Sequence, residues 1–259
     1  MPLIYEKILP AGRLGVWHIL ETEAVLRTAA GAFPEVIEEI GSFKSESRRK
    51  QWLACRALLS NLLRLPSVKV YYDEHGKPSL KGFAGYISFS HTREYAAVLI
   101  NEKGHAGVDI EKLTPRIERV AERFLQEDEL KHIRQVAERR GNELRSNREH
   151  ENEMNNWCEQ LSEGGRQEER EEEVIKGRCD PQTELLHLYW CSKEALYKFY
   201  GNPLVDLKND IHIRAFDYFC STQATFAARV NGPEGIEDHE LQFERIGDHM
   251  LVYTLLKQG

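Results

Sequence analysis

Trp190–Gly201 reads WCSKEALYKFYG and Gly107–Glu111 reads GVDIE, and the spacing of side chains in these two stretches decides both fold and chemistry. At helical spacing the first stretch, taken with the residues before it, puts Leu188, Cys191, Ala195 and Phe199 on one apolar stripe. Trp190, Glu194 and Lys198, four apart, then share another face. Gly201, followed by Asn202 and Pro203, is the expected stop. Glu194 and Lys198 alone admit two readings. One is an ordinary i,i+4 surface ion pair worth about 0.3–0.5 kcal/mol; the other is part of an acid–base or phosphate-handling site.

The second stretch extends to Ala106–Lys112. Read as a strand, it sends Val108 and Ile110 to the core and projects Asp109 and Glu111 from the same opposite face. Two carboxylates on one side repel, and a cation relieves that repulsion. An all-oxygen donor set favours a hard ion, Mg²⁺ before Mn²⁺ or Ca²⁺. The competing reading is a strand whose polar face is simply wet.

Working outward, residues 2–9 and 14–20 read as an opening hairpin broken at Pro10, Ala11 and Gly12. From about Ser45 to Leu65–Pro66 the period changes to that of a helix, with Cys55, Leu58, Leu59 and Leu62 as its buried stripe. Arg49 and Arg56 share a different stripe, flanked by Arg48 and Lys50. Cations near a helix start oppose the macrodipole, so the cluster is either an anion site or a solvated basic face. Tyr71–Leu80 is a turn around Lys77, with Gly76 and Pro78. Tyr86–His91 is a strand ending in Ser90 and His91, and Tyr95–Ile100 is a strand buried on both faces. Ser90 and His91 are either hydrogen-bonded structural residues or ligand contacts, and Lys77 and the arginines in the same half favour the second. A Ser-His-Asp hydrolase is set aside: neighbours on a strand point to opposite faces, and no GxSxG elbow occurs.

Asn101–Gly104 is a turn that divides the chain into halves, 1–103 and 104–259. The second half begins, after the GVDIE strand, with helical spacing over 116–139 and a break at Gln126–Glu129. Residues 141–183, rich in Glu, Arg, Asn, Gln and Gly, are expected to be a charged, mobile insertion with transient helix around 166–177. Residues 138–183 hold 13 acidic and 8 basic side chains, so most of the net charge of −7 sits there and says little about partners. Further strands are expected near 211–216, 224–230 and 249–256, with 231–238 a turn-rich link. Each half thus supplies helices and a small, mainly antiparallel sheet, which points to an α+β molecule with pseudo-duplicated halves. Five dispersed cysteines without a CxxC pair exclude structural zinc as the default. With neither a targeting segment nor a long apolar run, a cytoplasmic protein with no membrane and no nucleic-acid partner is expected.

Four short motifs, in order, resemble those of the 4′-phosphopantetheinyl transferases of the two-half, surfactin-synthetase-activating type: GKP at 76–78, SH at 90–91, GVDIE at 107–111 and WCSKEALYK at 190–198. The resemblance spans roughly residues 45–205. It implies the pseudo-duplicated fold of that family and transfer of the phosphopantetheine arm of coenzyme A to a serine of an apo acyl or peptidyl carrier protein, releasing adenosine 3′,5′-bisphosphate. It further implies that Asp109, Glu111 and Glu194 hold Mg²⁺, with Glu194 also the general base, and that Lys193 and Lys198 stabilise pyrophosphate charge. Lys77, Ser90 and His91, with Arg49 and Arg56, would bind the adenosine 3′-phosphate. Two departures stand out. The distance from Asp109 to Lys193 exceeds the family's, the excess coinciding with the insertion, and Gly201-Asn202-Pro203-Leu204 replaces the commoner G-x-G-L turn. Two other functions remain open: a Mg²⁺-dependent phosphohydrolase using the same carboxylates, and a non-catalytic module binding coenzyme A or a carrier protein.

Overall fold

The computed structural model describes residues 3–31, 40–159, 180–218 and 222–255. It is an α+β molecule in which every strand pairing among the described residues is antiparallel. The opening hairpin joins β1 (Leu3–Leu9) to β2 (Gly12–His18). After helix α1 (Glu23–Ala30) comes α2 (Glu46–Leu63), which ends where Arg64 takes a left-handed conformation. A two-stranded flap of β3 (Val70–Tyr72) and β4 (Pro78–Leu80) holds the Lys77 turn, and β5 (Tyr86–His91) and β6 (Tyr95–Asn101) complete a four-stranded sheet of order β1-β2-β6-β5. The apolar face of α2, including Leu53, Leu58, Leu59 and Leu62, packs on that sheet.

The second half opens with β7 (Ala106–Lys112), a 3₁₀ turn (Pro115–Val120), α3 (Ala121–Phe124) and α4 (Glu127–Glu159). It continues with α5 (Pro181–Tyr200), β8 (Ile211–Ile213), β9 (Gln223–Gly232), β10 (Gly235–Ile246) and β11 (His249–Leu255). These strands form a second sheet, of order β7-β11-β10-β9-β8. α5 is well begun: Asp180 accepts the Thr183 N–H at 3.1 Å and Pro181 sits in the first turn, a cap worth about 1 kcal/mol.

Two sequence expectations change. Residues 231–238 do not form a link, because β10 starts at Gly235 and pairs along β9, so only Pro233 and Glu234 turn. And α4 runs on to Glu159, so the first part of the span expected to be a mobile insertion is helical. The glutamates and arginines between 143 and 153 favour helix without supplying an apolar face, and they outnumber the asparagines among them. The rest of the insertion to 179, including the transient helix expected at 166–177, lies outside the described residues. None of the described helices is long and apolar enough to cross a membrane.

The halves share a core in which Leu14, Val16, Ala97 and Leu99 meet Val108, Ile110, Leu251 and Tyr253. Their sheets join along β5 and β7 through side chains, since Ser88 Oγ accepts the Val108 N–H at 3.1 Å and Ser90 Oγ the Ile110 N–H at 3.2 Å. Across β7 lies α5, so close that a Cβ on Gly107 would stand 1.9 Å from the Ala195 carbonyl oxygen. Only glycine lets β7 pack that near. Asp109 and Glu194 are thereby brought to one wall.

Candidate active site

A cavity of about 460 Å³ opens between the halves, walled by α2, the β3–β4 turn, β5, β7 and α5. The structure gathers Asp109, Glu111, Glu194, Lys198, Lys77, Ser90, His91 and Arg56 around it, together with Arg48. Lys193 and Arg49 are not among its walls.

Asp109 is the hub. Its Oδ1 accepts from Lys198 Nζ at 2.6 Å and from Ser90 Oγ at 2.8 Å. Its Oδ2 is buried and has no hydrogen-bond partner among the described residues. Glu111 accepts from the Trp190 indole at 3.2 Å, and Trp190 is braced edge-on by Phe124. Burial, and next the charge of Asp109, push the Glu111 carboxyl up to about 7. The same two causes, in the same order, raise Glu194. Lys198 is also raised: burial works against its charge, but the Asp109 carboxylate outweighs it. Three carboxylates facing one cavity, with the Lys198 ammonium bonded to one of them, are an electrostatic arrangement that burial makes costly, which is characteristic of functional sites.

An all-oxygen set with one orphaned buried oxygen fits a hard divalent cation. The three carboxylates border one cavity without forming a tight preformed cage. Among the described residues, the group whose ligand atoms all lie within 4.8 Å is instead Glu94, Asp248 and His249. That group already holds a cation, since Lys112 Nζ bonds Glu94 at 2.6 Å and Asp248 at 3.1 Å, and both nitrogens of His249 are engaged, by Thr92 and Asp248. Around Asp109, by contrast, mutual repulsion and the separate bonds to Lys198 and Trp190 keep the carboxylates apart.

The sign of the Glu111 shift gives a testable result. A carboxyl whose folded pKa lies above its unfolded value stabilises the fold most at low pH and loses that stability as pH rises through the folded pKa. In metal-free protein the loss should run between about pH 4.5 and 7. Glu111→Gln should therefore raise the melting temperature in chelator at pH 8, by an amount equivalent to at most about 3 kcal/mol, and have little effect at pH 4. Thermal melts across pH check it.

At the far end, Arg48 Nη1 lies 2.7 Å from His91 Nε2. A guanidinium only donates, so Nε2 accepts and the proton sits on Nδ1, which is buried without a partner among the described residues. Burial, with Arg48 and Lys198 adding to it, lowers His91 to about 4, so it is a neutral donor at physiological pH. Arg56 stacks 3.3 Å from the Trp52 ring centroid and donates to the Tyr72 hydroxyl at 2.6 Å.

Three of the expected site residues have their charged groups engaged within the protein. Arg49 turns from the cavity, bonding Glu23 at 2.8 Å and the Phe43 carbonyl at 2.8 Å, because one residue of helix rotates it towards α1. Arg48 faces the cavity in its place, and its spacing of four to Trp52 and then Arg56 is a signal the sequence did carry. Lys193 is 0% exposed and pairs with Glu129 at 2.8 Å, its remaining protons going to the Leu207 and Ile211 carbonyls. It ties α5 to the start of α4 and to β8. Lys77 borders the cavity, but its ammonium caps α5, donating to the Phe199 and Tyr200 carbonyls at 2.7 and 3.2 Å. Gly201, at φ +61, leaves room for it, for a Cβ there would lie 2.4 Å from Lys77 Cδ.

No family model matches the chain. It is 36% identical over 89 residues to the 4′-phosphopantetheinyl transferase AcpT of Salmonella typhi, a match covering 34% of this chain and 45% of that protein. It is 40% identical over 70 residues to the 4′-phosphopantetheinyl transferase AcpT of Escherichia coli strain K12, covering 27% and 35%. The chain thus matches less than half the length of these curated relatives.

Proposed function

We propose that this chain is a phosphopantetheinyl transferase, moving the 4′-phosphopantetheine arm of coenzyme A to a serine hydroxyl of an apo acyl or peptidyl carrier protein with Mg²⁺ and releasing adenosine 3′,5′-bisphosphate. The similarity to proteins named for that transfer supports the superfamily. The observation that carries the chemistry is the meeting, in one cavity, of Asp109, Glu111 and Glu194 with Lys198, Arg48 and Arg56, from three separate parts of the sequence.

In this reading Asp109, Glu111 and Glu194 hold the metal ion, with Asp109 Oδ2 the oxygen left open for it. The bound cation supplies Lewis-acid neutralisation of pyrophosphate charge. Glu194, held above the usual carboxylate range by burial and by Asp109, is suited to accept the proton of the acceptor serine. Lys198 stays protonated and faces the developing phosphate charge. Arg48, Arg56 and His91, which line one cavity, suit the adenosine 3′-phosphate. We also read the halves as two copies of one unit, since in each a long helix, α2 or α5, packs on an antiparallel sheet. The charged segment between α4 and α5 then bears on carrier choice.

The test is mass spectrometry of a panel of apo carriers incubated with the protein, coenzyme A and Mg²⁺. A carrier should gain one phosphopantetheine arm. A folded protein that binds coenzyme A but modifies none of the panel would refute the reading.

A further inference from the structure

A serine hydroxyl has one proton to give. Ser90 gives it to Asp109 Oδ1 at 2.8 Å, while its oxygen takes the Ile110 N–H at 3.2 Å. The hydroxyl is thus committed as a donor within the protein, and the contact with a 3′-phosphate that the SH motif suggested has no proton left to supply it. Oδ1 also receives Lys198 Nζ, so both donors converge on one oxygen of a residue that is only 3% exposed, and the other oxygen is buried without a hydrogen-bond partner among the described residues. Two bonds to one oxygen, from groups on β5 and α5, fix the rotation of the Asp109 carboxylate about its χ2 angle. We propose that Ser90 is a positioning residue for Asp109, holding Oδ1 so that Oδ2 is presented to the divalent cation. This rests on the metal reading above.

Ser88 provides the internal control. Two residues earlier on the same strand, it takes the Val108 N–H at 3.1 Å in the same way, without a carboxylate bond among the described residues. Losing either hydroxyl removes one bond from the join between the sheets, but only Ser90 touches a ligand.

The probe is Mn²⁺ alone, titrated by calorimetry into the full chain. Hydrogen-bond partners of metal ligands are typically worth about ten- to a hundredfold in metal affinity. Ser90→Ala should weaken Mn²⁺ by that factor, while Ser88→Ala, with a similar shift in melting temperature, should leave Mn²⁺ affinity unchanged. Ser90→Ala should also weaken coenzyme A and 3′-dephospho-coenzyme A in equal proportion in the presence of Mn²⁺. If Ser90→Ala should fail to fold, Ser90→Cys, near in size with a weaker donor, should show an intermediate loss. Parental Mn²⁺ affinity in a folded Ser90 variant, or a loss confined to coenzyme A, overturns this inference and leaves the metal site standing. Failure of the parent chain to bind Mn²⁺ both alone and with coenzyme A present removes the metal reading itself, and this inference with it.

Discussion

Lys193→Met should lower the free energy of unfolding by about 3–5 kcal/mol, the usual cost of removing one partner from a buried ion pair. Glu129 is 2% exposed and would be left charged in the core, its oxygens satisfied, among the described residues, by the Gln126 and Ile213 N–H groups. Adding Glu129→Gln should recover part of the loss, because the amide oxygen still accepts and no charge is stranded. Denaturant unfolding of the two variants measures both numbers. The result separates a structural lysine from a phosphate-binding one. A lysine acting on pyrophosphate would, when replaced, leave the melt near that of the parent and abolish turnover. A lysine that ties α5 to α4 should lower stability and leave the activity per folded molecule largely intact.

Glu194→Gln should show the converse. Removing a general base typically costs about 10²–10⁴-fold in rate, while the fold should be unharmed or slightly steadier, since Glu194 is already pushed above its ordinary range by burial and by Asp109. Carrier modification followed by mass spectrometry, beside a thermal melt, reads both. Parental turnover in the variant would strike Glu194 from the role of base. A fall in melting temperature would mean that the carboxylate is structural.

The contrast between these two neighbours in sequence shows what patterns can and cannot convey. The spacing of Trp190, Glu194 and Lys198 places them on one face of a helix, and the alternation in GVDIE places two carboxylates on one face of a strand; both are local periodicities, and the cavity is lined accordingly. Lys193 lies one position off that face, and its partner Glu129 is 64 residues away, in a stretch where charge suggests solvent. Lys77 illustrates the same limit: a glycine-lysine-proline turn suits an anion, yet the helix end it caps is fixed only by tertiary packing. β10 was hidden because its alternation is blurred at both ends: the buried set His239, Leu241 and Phe243 starts on a polar residue, and Glu244 is buried out of phase on account of Lys7 from the other end of the chain, at 2.7 Å. The length of α4 escaped because its apolar period fades after Val136 while residues that favour helix continue.

The serine join between the sheets has one more consequence. β7 borders its sheet, and the outward N–H groups of such a strand invite a strand from another molecule to add itself. At Val108 and Ile110 those groups are already taken by Ser88 and Ser90. The hydroxyls that close the seam therefore also leave this stretch of β7, the strand that carries two of the carboxylates, with neither of those N–H groups to offer an added strand.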